Sequence, residues 1–436
     1  MNDGKKDKPE VMHRYNWKDR IPAHIAVADL TQQQHHRLIT SNNFCMIPWI
    51  HLHATPDGRA YPCCLGQDKH PIGSLKVNTI EEVWNDAPYK LMRKNMLEDK
   101  PCKECTNCYE AESNGITSMR NSSNKFFGHQ IADVENTLPD GTNPDFKLHY
   151  WDIRFNNICN LKCRSCGGIF SSRWYEDDIK LWGKELRPRV MFAGKHHMDV
   201  WEQMQTHMPY LSKIYFAGGE PLLQEEHIRI LKKLIELGNT NVELVYNTNL
   251  TTLKFKRESI LELWKHFKHV CVMASLDDYG KRAEVIRSGT NWPRIEKNIK
   301  SLKQQCPHID FGISPTLSIM NIWNICKFHR YMVDQGFIGA ADVNVNLLMH
   351  PAYYRIDMIP THIKHQLKEE IEKHLDWLRP LDQIGRATGG FEGAIKSMMA
   401  DDKSHMLKDF WKNADALDRI RNEKIIDSVP ELSQLR

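Results

Sequence analysis

The stretch W-D-I-R-F-N-N-I-C-N-L-K-C-R-S-C-G-G, Trp151 to Gly168, opens as a strand and closes as a cysteine loop. Trp151, Ile153 and Phe155 alternate with Asp152, Arg154 and Asn156, the period of a β-strand. Cys159, Cys163 and Cys166 follow, with three residues and then two between them. Thiolates held this close reach three corners of one iron–sulfur cube, because such clusters are bound through cysteine sulfur. No fourth cysteine completes the motif, so one iron is left free for another ligand, as in open catalytic metal sites. Short cysteine clusters also bind structural zinc, and a Cys-x-x-Cys pair alone does not separate the two. Gly167 and Gly168 allow close backbone approach behind the loop.

A second signal lies further on. Ile214-Tyr215-Phe216-Ala217 is a short apolar strand ending in Gly218-Gly219-Glu220-Pro221. Alone, that tetrapeptide is a turn opening a helix. In this order after the cysteine loop, it makes the chain resemble the radical S-adenosylmethionine (SAM) family. The resemblance implies a 4Fe–4S cluster on Cys159, Cys163 and Cys166 whose open iron chelates the amino and carboxylate groups of SAM. It implies that Gly218, Gly219, Glu220 and Pro221 bind the SAM amino group. It also implies a one-electron donor such as flavodoxin or ferredoxin, and cleavage of SAM to methionine and a 5′-deoxyadenosyl radical that takes hydrogen from substrate.

Composition bounds the rest. The chain has 436 residues, enough for two or three domains, and 41% hydrophobic content. Mean hydropathy is −0.56, no run of about 18 apolar residues occurs, and Met1 to Glu10 has no signal-peptide core. A net charge of +4 argues for neither nucleic acid nor membrane. Nine of the twelve cysteines fall in two groups, residues 45–108 and 159–166. That points to metal in a reducing compartment, hence a cytoplasmic protein.

In order, residues 1–40 read as a polar arm, the Gln32-Gln33-Gln34-His35-His36 tract included. Residues 41–120 change texture. Ile50, Leu52 and Ala54 alternate with His51 and His53, and Pro56-Asp57-Gly58 turns the chain so that the return strand brings Cys63 near Cys45. A helix is expected over 79–97, capped by Thr79, with Trp84, Tyr89, Leu91 and Met92 buried. Cys102, Cys105 and Cys108 follow. This segment resembles the SPASM/twitch module of radical SAM enzymes: Gly58 with Cys63 matches its Gly-x4-Cys element. The resemblance implies an auxiliary 4Fe–4S cluster on Cys45, Cys63, Cys105 and Cys108, with Cys102 and Cys64 as substitutes. A zinc knuckle on the same thiolates is the alternative. Unlike most relatives, the module precedes the core.

A helix over 110–120 and a polar linker, 121–146, lead to the core, 147–350. There strands near 151–157, 214–217, 242–246, 270–275, 309–313 and 343–348 alternate with helices near 224–237, 260–267, 293–305 and 324–335. The fold class is α/β, and the six units resemble the family's partial (β/α)6 TIM barrel. Barrel sites gather at the C-terminal strand ends, which nominates Asn249, Ser275, Asp277 and Arg287 as further SAM contacts, and Asn321 more weakly. Helix capping and a surface ion pair are the plain alternatives for Ser275, Asp277 and Arg287. Ser165 stands where the family often has an aromatic beside the adenine. Residues 351–436 form a helical segment expected to cover the barrel or extend its outer ring. Cys271, Cys306 and Cys326 read as buried structural thiols. The expected function is radical oxidation of a peptide, with a small-molecule dehydrogenase as runner-up and a non-catalytic zinc or iron–sulfur scaffold as the alternative class.

Overall fold

The computed structural model describes residues 25–66, 70–113 and 117–436. Among them, twelve strands run in chain order: β1 (His51–Ala54), β2 (Arg59–Tyr61), β3 (Gly73–Ser74), β4 (Tyr150–Ile153), β5 (Lys213–Phe216), β6 (Glu243–Thr248), β7 (Lys254–Phe255), β8 (Glu258–Ser259), β9 (His269–Ala274), β10 (Asp310–Ile313), β11 (Thr316–Leu317) and β12 (Asn346–Leu347). Eight of them form one sheet in the order β10-β9-β6-β5-β4-β1-β2-β3. From β10 to β1 every pairing is parallel. The expected sixth strand joins only by an Ile313–Val343 bridge and the short β11–β12 pair. Among the described residues the sheet does not close, so the architecture is an open half-barrel.

Alternation decides which side chains face outward. Phe216 stacks on Tyr246 at 4.8 Å and meets His227 edge-on at 4.9 Å, and Tyr246 meets Trp264 at 5.0 Å. His227 lies on the helix Glu225–Glu236 and Trp264 on Ile260–Trp264. That layer is the outer, helix-covered core; the alternate residues line the inner wall.

The N-terminal module is continuous with this sheet. Leu52 of β1 pairs with Trp151 of β4, and His53 with Asp152. The hairpin thus extends the barrel beyond its first strand, which settles a placement that the unusual domain order left open. Residues 31–40, read as part of an arm, form a short helix, Gln32–His35, capped by Thr31, and a following turn. Residues 1–24 of the arm lie outside the described residues.

The helix expected over 79–97 is two, Ile80–Trp84 and Ala87–Leu97. Pro88 has no N–H to donate to the Trp84 carbonyl and would clash with it in an unbroken helix, yet it is tolerated in the first turn of a new one. Asp86 caps that restart by accepting from Ala87 N–H at 2.7 Å. Trp84, Tyr89 and Met92 are buried, whereas Leu91 is 57% exposed, since the second helix turns Tyr89, Met92 and Met96 inward. The helix expected over 110–120 is also two: Thr106–Ser113, carrying Cys108, and Met119–Phe127. The latter runs into the expected linker, where Phe127, Ile131 and Val134 join the core. Of the three isolated cysteines only Cys306 is buried; Cys271 and Cys326 are half-buried.

Candidate functional site

The loop after β4 brings Cys159, Cys163 and Cys166 within electrostatic reach of one another. Burial pushes all three thiols up, Cys166 to about 12. Three thiolates there need a compensating cation. Among the described residues no three His, Cys, Asp or Glu groups converge on a single ion.

The Gly-Gly-Glu-Pro turn abuts this loop. Gly218 and Gly219 have φ of 75° and 58°, a region that side chains avoid. A Cβ on Gly219 would lie 2.6 Å from the Ile158 carbonyl oxygen, so the turn presses on the backbone just before Cys159. Glu220 N–H donates to that carbonyl at 2.8 Å. Behind the loop, only Gly168 is needed for space: its Cβ would meet Asp178 Oδ2 at 2.4 Å, whereas Gly167 is open.

Glu220 is 1% exposed. Its carboxylate accepts from Thr248 Oγ1 at 2.5 Å, Asn249 N–H at 2.7 Å and Leu222 N–H at 3.1 Å. Burial nonetheless raises it to about 7. The side chain braces β5 against β6, leaving backbone as the turn's open face. Pro221 begins a short 3₁₀ turn.

Two of the nominated rim residues, Asn249 and Arg287, reach the same loop. Asn249 Nδ2 donates to Asn160 Oδ1 at 2.9 Å and lies 4.0 Å from Cys159 Sγ. Arg287 is no surface residue: it grips Asp277 through Nε–Oδ2 at 2.8 Å and Nη2–Oδ1 at 2.9 Å, and its Nη1 lies 4.0 Å from Cys163 Sγ. Asp277 also accepts Thr316 N–H at 2.8 Å; it caps no helix. Ser275 follows β9, its N–H bonded to the Thr248 carbonyl at 2.7 Å. Asn321 is buried and donates to the Asp277 carbonyl at 3.0 Å.

Sequence reasoning missed the loop's supports. Arg164, between two loop cysteines, has a side chain with 0% exposure, and pairs with Asp418 and, at 3.0 Å, Glu423. Ser288 also donates to Glu423, at 2.9 Å. Asp177 accepts from Lys162 at 3.2 Å and Arg421 at 2.8 Å. Trp174 Nε1 donates to the Cys163 carbonyl at 3.0 Å. The C-terminal helix Leu407–Arg421 therefore locks onto the cysteine loop, rather than merely covering the barrel. The sequence offered only the position of Arg164 between Cys163 and Cys166, which does not reveal its burial or its partners.

In the N-terminal module, every pair among Cys45, Cys63, Cys105 and Cys108 interacts electrostatically; burial raises Cys45, Cys63 and Cys108, and a hydrogen bond with Cys102, then burial, raises Cys105. Arg120, 2% exposed, ties the set together. It donates from Nη1 to the Ser41 and Phe44 carbonyls at 3.0 Å each and pairs with Glu112 on the Cys108 helix. Cys102 adjoins the set, hydrogen-bonding Cys105 and lying 3.8 Å from the Met92 carbonyl oxygen. Cys64 points the other way, to Asp152 of the barrel wall.

No helix among the described residues is long and apolar enough to cross a membrane. No curated protein matches the chain. Two solved structures that resemble part of the chain are described as "Native anSMEcpe with bound AdoMet" and "Native anSMEcpe with bound AdoMet and Cp18Cys peptide". The first has 18% identity and a TM-score of 0.37 over 57% of this chain and 65% of that one. The second has 16% identity and a TM-score of 0.33 over 54% and 60%. Less than two thirds of either chain's length is therefore matched. Residues 45–109 match the iron–sulfur cluster-binding SPASM domain, and residues 153–328 the radical SAM superfamily. The half-barrel of this chain thus carries a radical SAM domain, which implies SAM and a 4Fe–4S cluster, with an iron–sulfur cluster-binding SPASM domain on its N-terminal side.

Proposed function

We propose that Cys159, Cys163 and Cys166 hold the SAM-site cluster, that Cys45, Cys63, Cys105 and Cys108 hold an auxiliary one, and that the enzyme oxidises a peptide. One observation carries the reading: a single sheet bears both cysteine sets, with the hairpin that delivers Cys63 paired to the strand that feeds Cys159. The donor sets fit. Four thiols saturate an auxiliary cube and three leave a corner open, whereas zinc asks for sulfurs about 3.8 Å apart on 2.3 Å bonds. The chemistry supplied by the bound groups is reductive cleavage of SAM to a 5′-deoxyadenosyl radical, hydrogen abstraction from substrate, and removal of one further electron.

The chain's own residues position and exclude. The glycine turn offers backbone acceptors to the SAM amino group. Arg287, fixed by Asp277 and with its Nη1 beside Cys163 Sγ, would offer the SAM carboxylate a charge-assisted contact. Arg164 and the C-terminal helix hold the loop still, so that the radical meets one C–H bond. The SPASM module favours a peptide as substrate. A cytoplasmic setting and a flavodoxin- or ferredoxin-type donor complete the proposal.

The test is anaerobic. Reconstituted protein should be brown, carry about eight irons and release 5′-deoxyadenosine when given SAM and reductant. Cys163→Ala should abolish that release. A colourless zinc protein, or cleavage that survives Cys163→Ala, would remove the assignment.

A further inference from the structure

The inner wall of the half-barrel carries a charged pair that neither cysteine set uses. Alternation along β4 turns Asp152 and Arg154 away from the outer core, and the register sets them beside Tyr215 of β5. Arg154 Nη2 lies 2.9 Å from Asp152 Oδ1, and its guanidinium carbon sits 4.8 Å from the centroid of the Tyr215 ring. His53 Nδ1 lies 2.8 Å from the Asp152 carbonyl oxygen and 3.3 Å from Oδ2. The Cys64 thiol borders the same carboxylate.

Arg154 is 8% exposed, yet its Nη1 has no hydrogen-bond partner among the described residues, and neither do the two carboxylate oxygens of Asp152 beside it. A buried guanidinium N–H left unpaired is costly and marks a place where something else is expected. The Tyr215 hydroxyl borders the same guanidinium, so two donors meet there. Cys64, beside Asp152, is exposed, so the charged pair lies close to the surface. It also adjoins the SAM turn: a Cβ on Gly218 would lie 2.5 Å from Arg154 Cδ.

We propose that Arg154 Nη1 and the Tyr215 hydroxyl receive a carboxylate of the substrate and so set which of its C–H bonds faces SAM. This rests on the reading of the chain as a peptide-modifying radical SAM enzyme. Charge selects the ligand class. Asp152 already cancels Arg154, and Lys213, further down the wall, is paired with Glu243 at 3.1 Å. Directed donors with little net charge suit a singly charged carboxylate better than a dianionic phosphate.

The test uses three small probes on the reduced, anaerobic holoenzyme: N-acetylglycine, N-acetylaspartate α-amide and N-acetylglycinamide. Paramagnetic broadening of the acetyl methyl line reports a probe bound near a cluster. The carboxylate probes should broaden at least about fivefold more than the amide, a difference of about 1 kcal/mol. The better of the two tells a chain-terminal carboxylate from a side-chain one. Arg154→Met keeps the stem beneath Gly218 and should erase the difference. Because it leaves Asp152 unpaired, Asp152→Asn/Arg154→Met is measured beside it, with circular dichroism and iron content confirming folded, loaded protein. Equal broadening by the amide, or an undiminished difference in both variants, overturns the inference. Wild-type protein that cleaves SAM without discriminating overturns this inference alone; protein that does not cleave SAM overturns the reading beneath it as well.

Discussion

Arg287 and Asp277 face each other as a two-pronged pair, 2.8 and 2.9 Å, beneath the cysteine loop. The pair aims Arg287 and keeps its charge from being stranded: the two side chains are only 15% and 3% exposed. Arg287→Lys keeps the charge and loses the fork. A charge-assisted bond contributes about 1.5–3 kcal/mol, so SAM binding should weaken about 10- to 100-fold. Equilibrium dialysis of the loaded enzyme measures this; unchanged affinity removes Arg287 from the SAM site.

Adjacent thiols should behave oppositely. Cys63 faces the other three module cysteines and Cys64 faces Asp152. Cys63→Ala should therefore lower iron from about eight to about four per chain, whereas Cys64→Ala should leave it near eight. Iron and sulfide assays decide, and a loss on Cys64→Ala would reverse the ligand assignment.

The C-terminal brace has a stability signature. Arg164→Met leaves Asp418 and Glu423 facing each other without their buried cation. Breaking a buried ion pair by removing one partner costs about 3–5 kcal/mol. Thermal melts should show a clearly lower midpoint, and proteolysis should open the C-terminal helix early. A wild-type melt would mean that the contact holds nothing.

Acid should destabilise the barrel through His227. Burial between Phe216 and Tyr246 lowers this imidazole from 6.5 to about 3. The folded state favours the neutral ring, so its contribution is complete above pH 6.5 and is lost as pH falls toward 3, at about 1.4 kcal/mol per unit. Between pH 6.5 and 5 the wild-type midpoint should fall more steeply than that of His227→Gln. Parallel slopes would exclude the histidine as the cause.

Local signals were legible in the sequence and distant ones were not. The strand into Cys159, the Pro56-Asp57-Gly58 hairpin and the Gly-Gly-Glu-Pro turn depend on alternation, turn chemistry and short spacings. The β1–β4 pairing joins residues about a hundred positions apart, and Arg164 meets Asp418 across 254; no periodicity records either. The split at Pro88 was written in the sequence but overridden by the amphipathic pattern around it. Asp277 reads in the sequence as a SAM contact, with capping as the alternative, and its pairing with Arg287 is not legible there because that partner lies across a helix.

Electron paramagnetic resonance of the reduced, anaerobic protein, before and after adding SAM, reads out the iron left open at Cys159, Cys163 and Cys166. A variant with Cys63 and Cys108 both changed to Ala isolates the remaining cluster. Its signal should shift on adding SAM, as a new ligand reaches the iron. A spectrum that does not move, in protein with four irons per chain, would contradict the account.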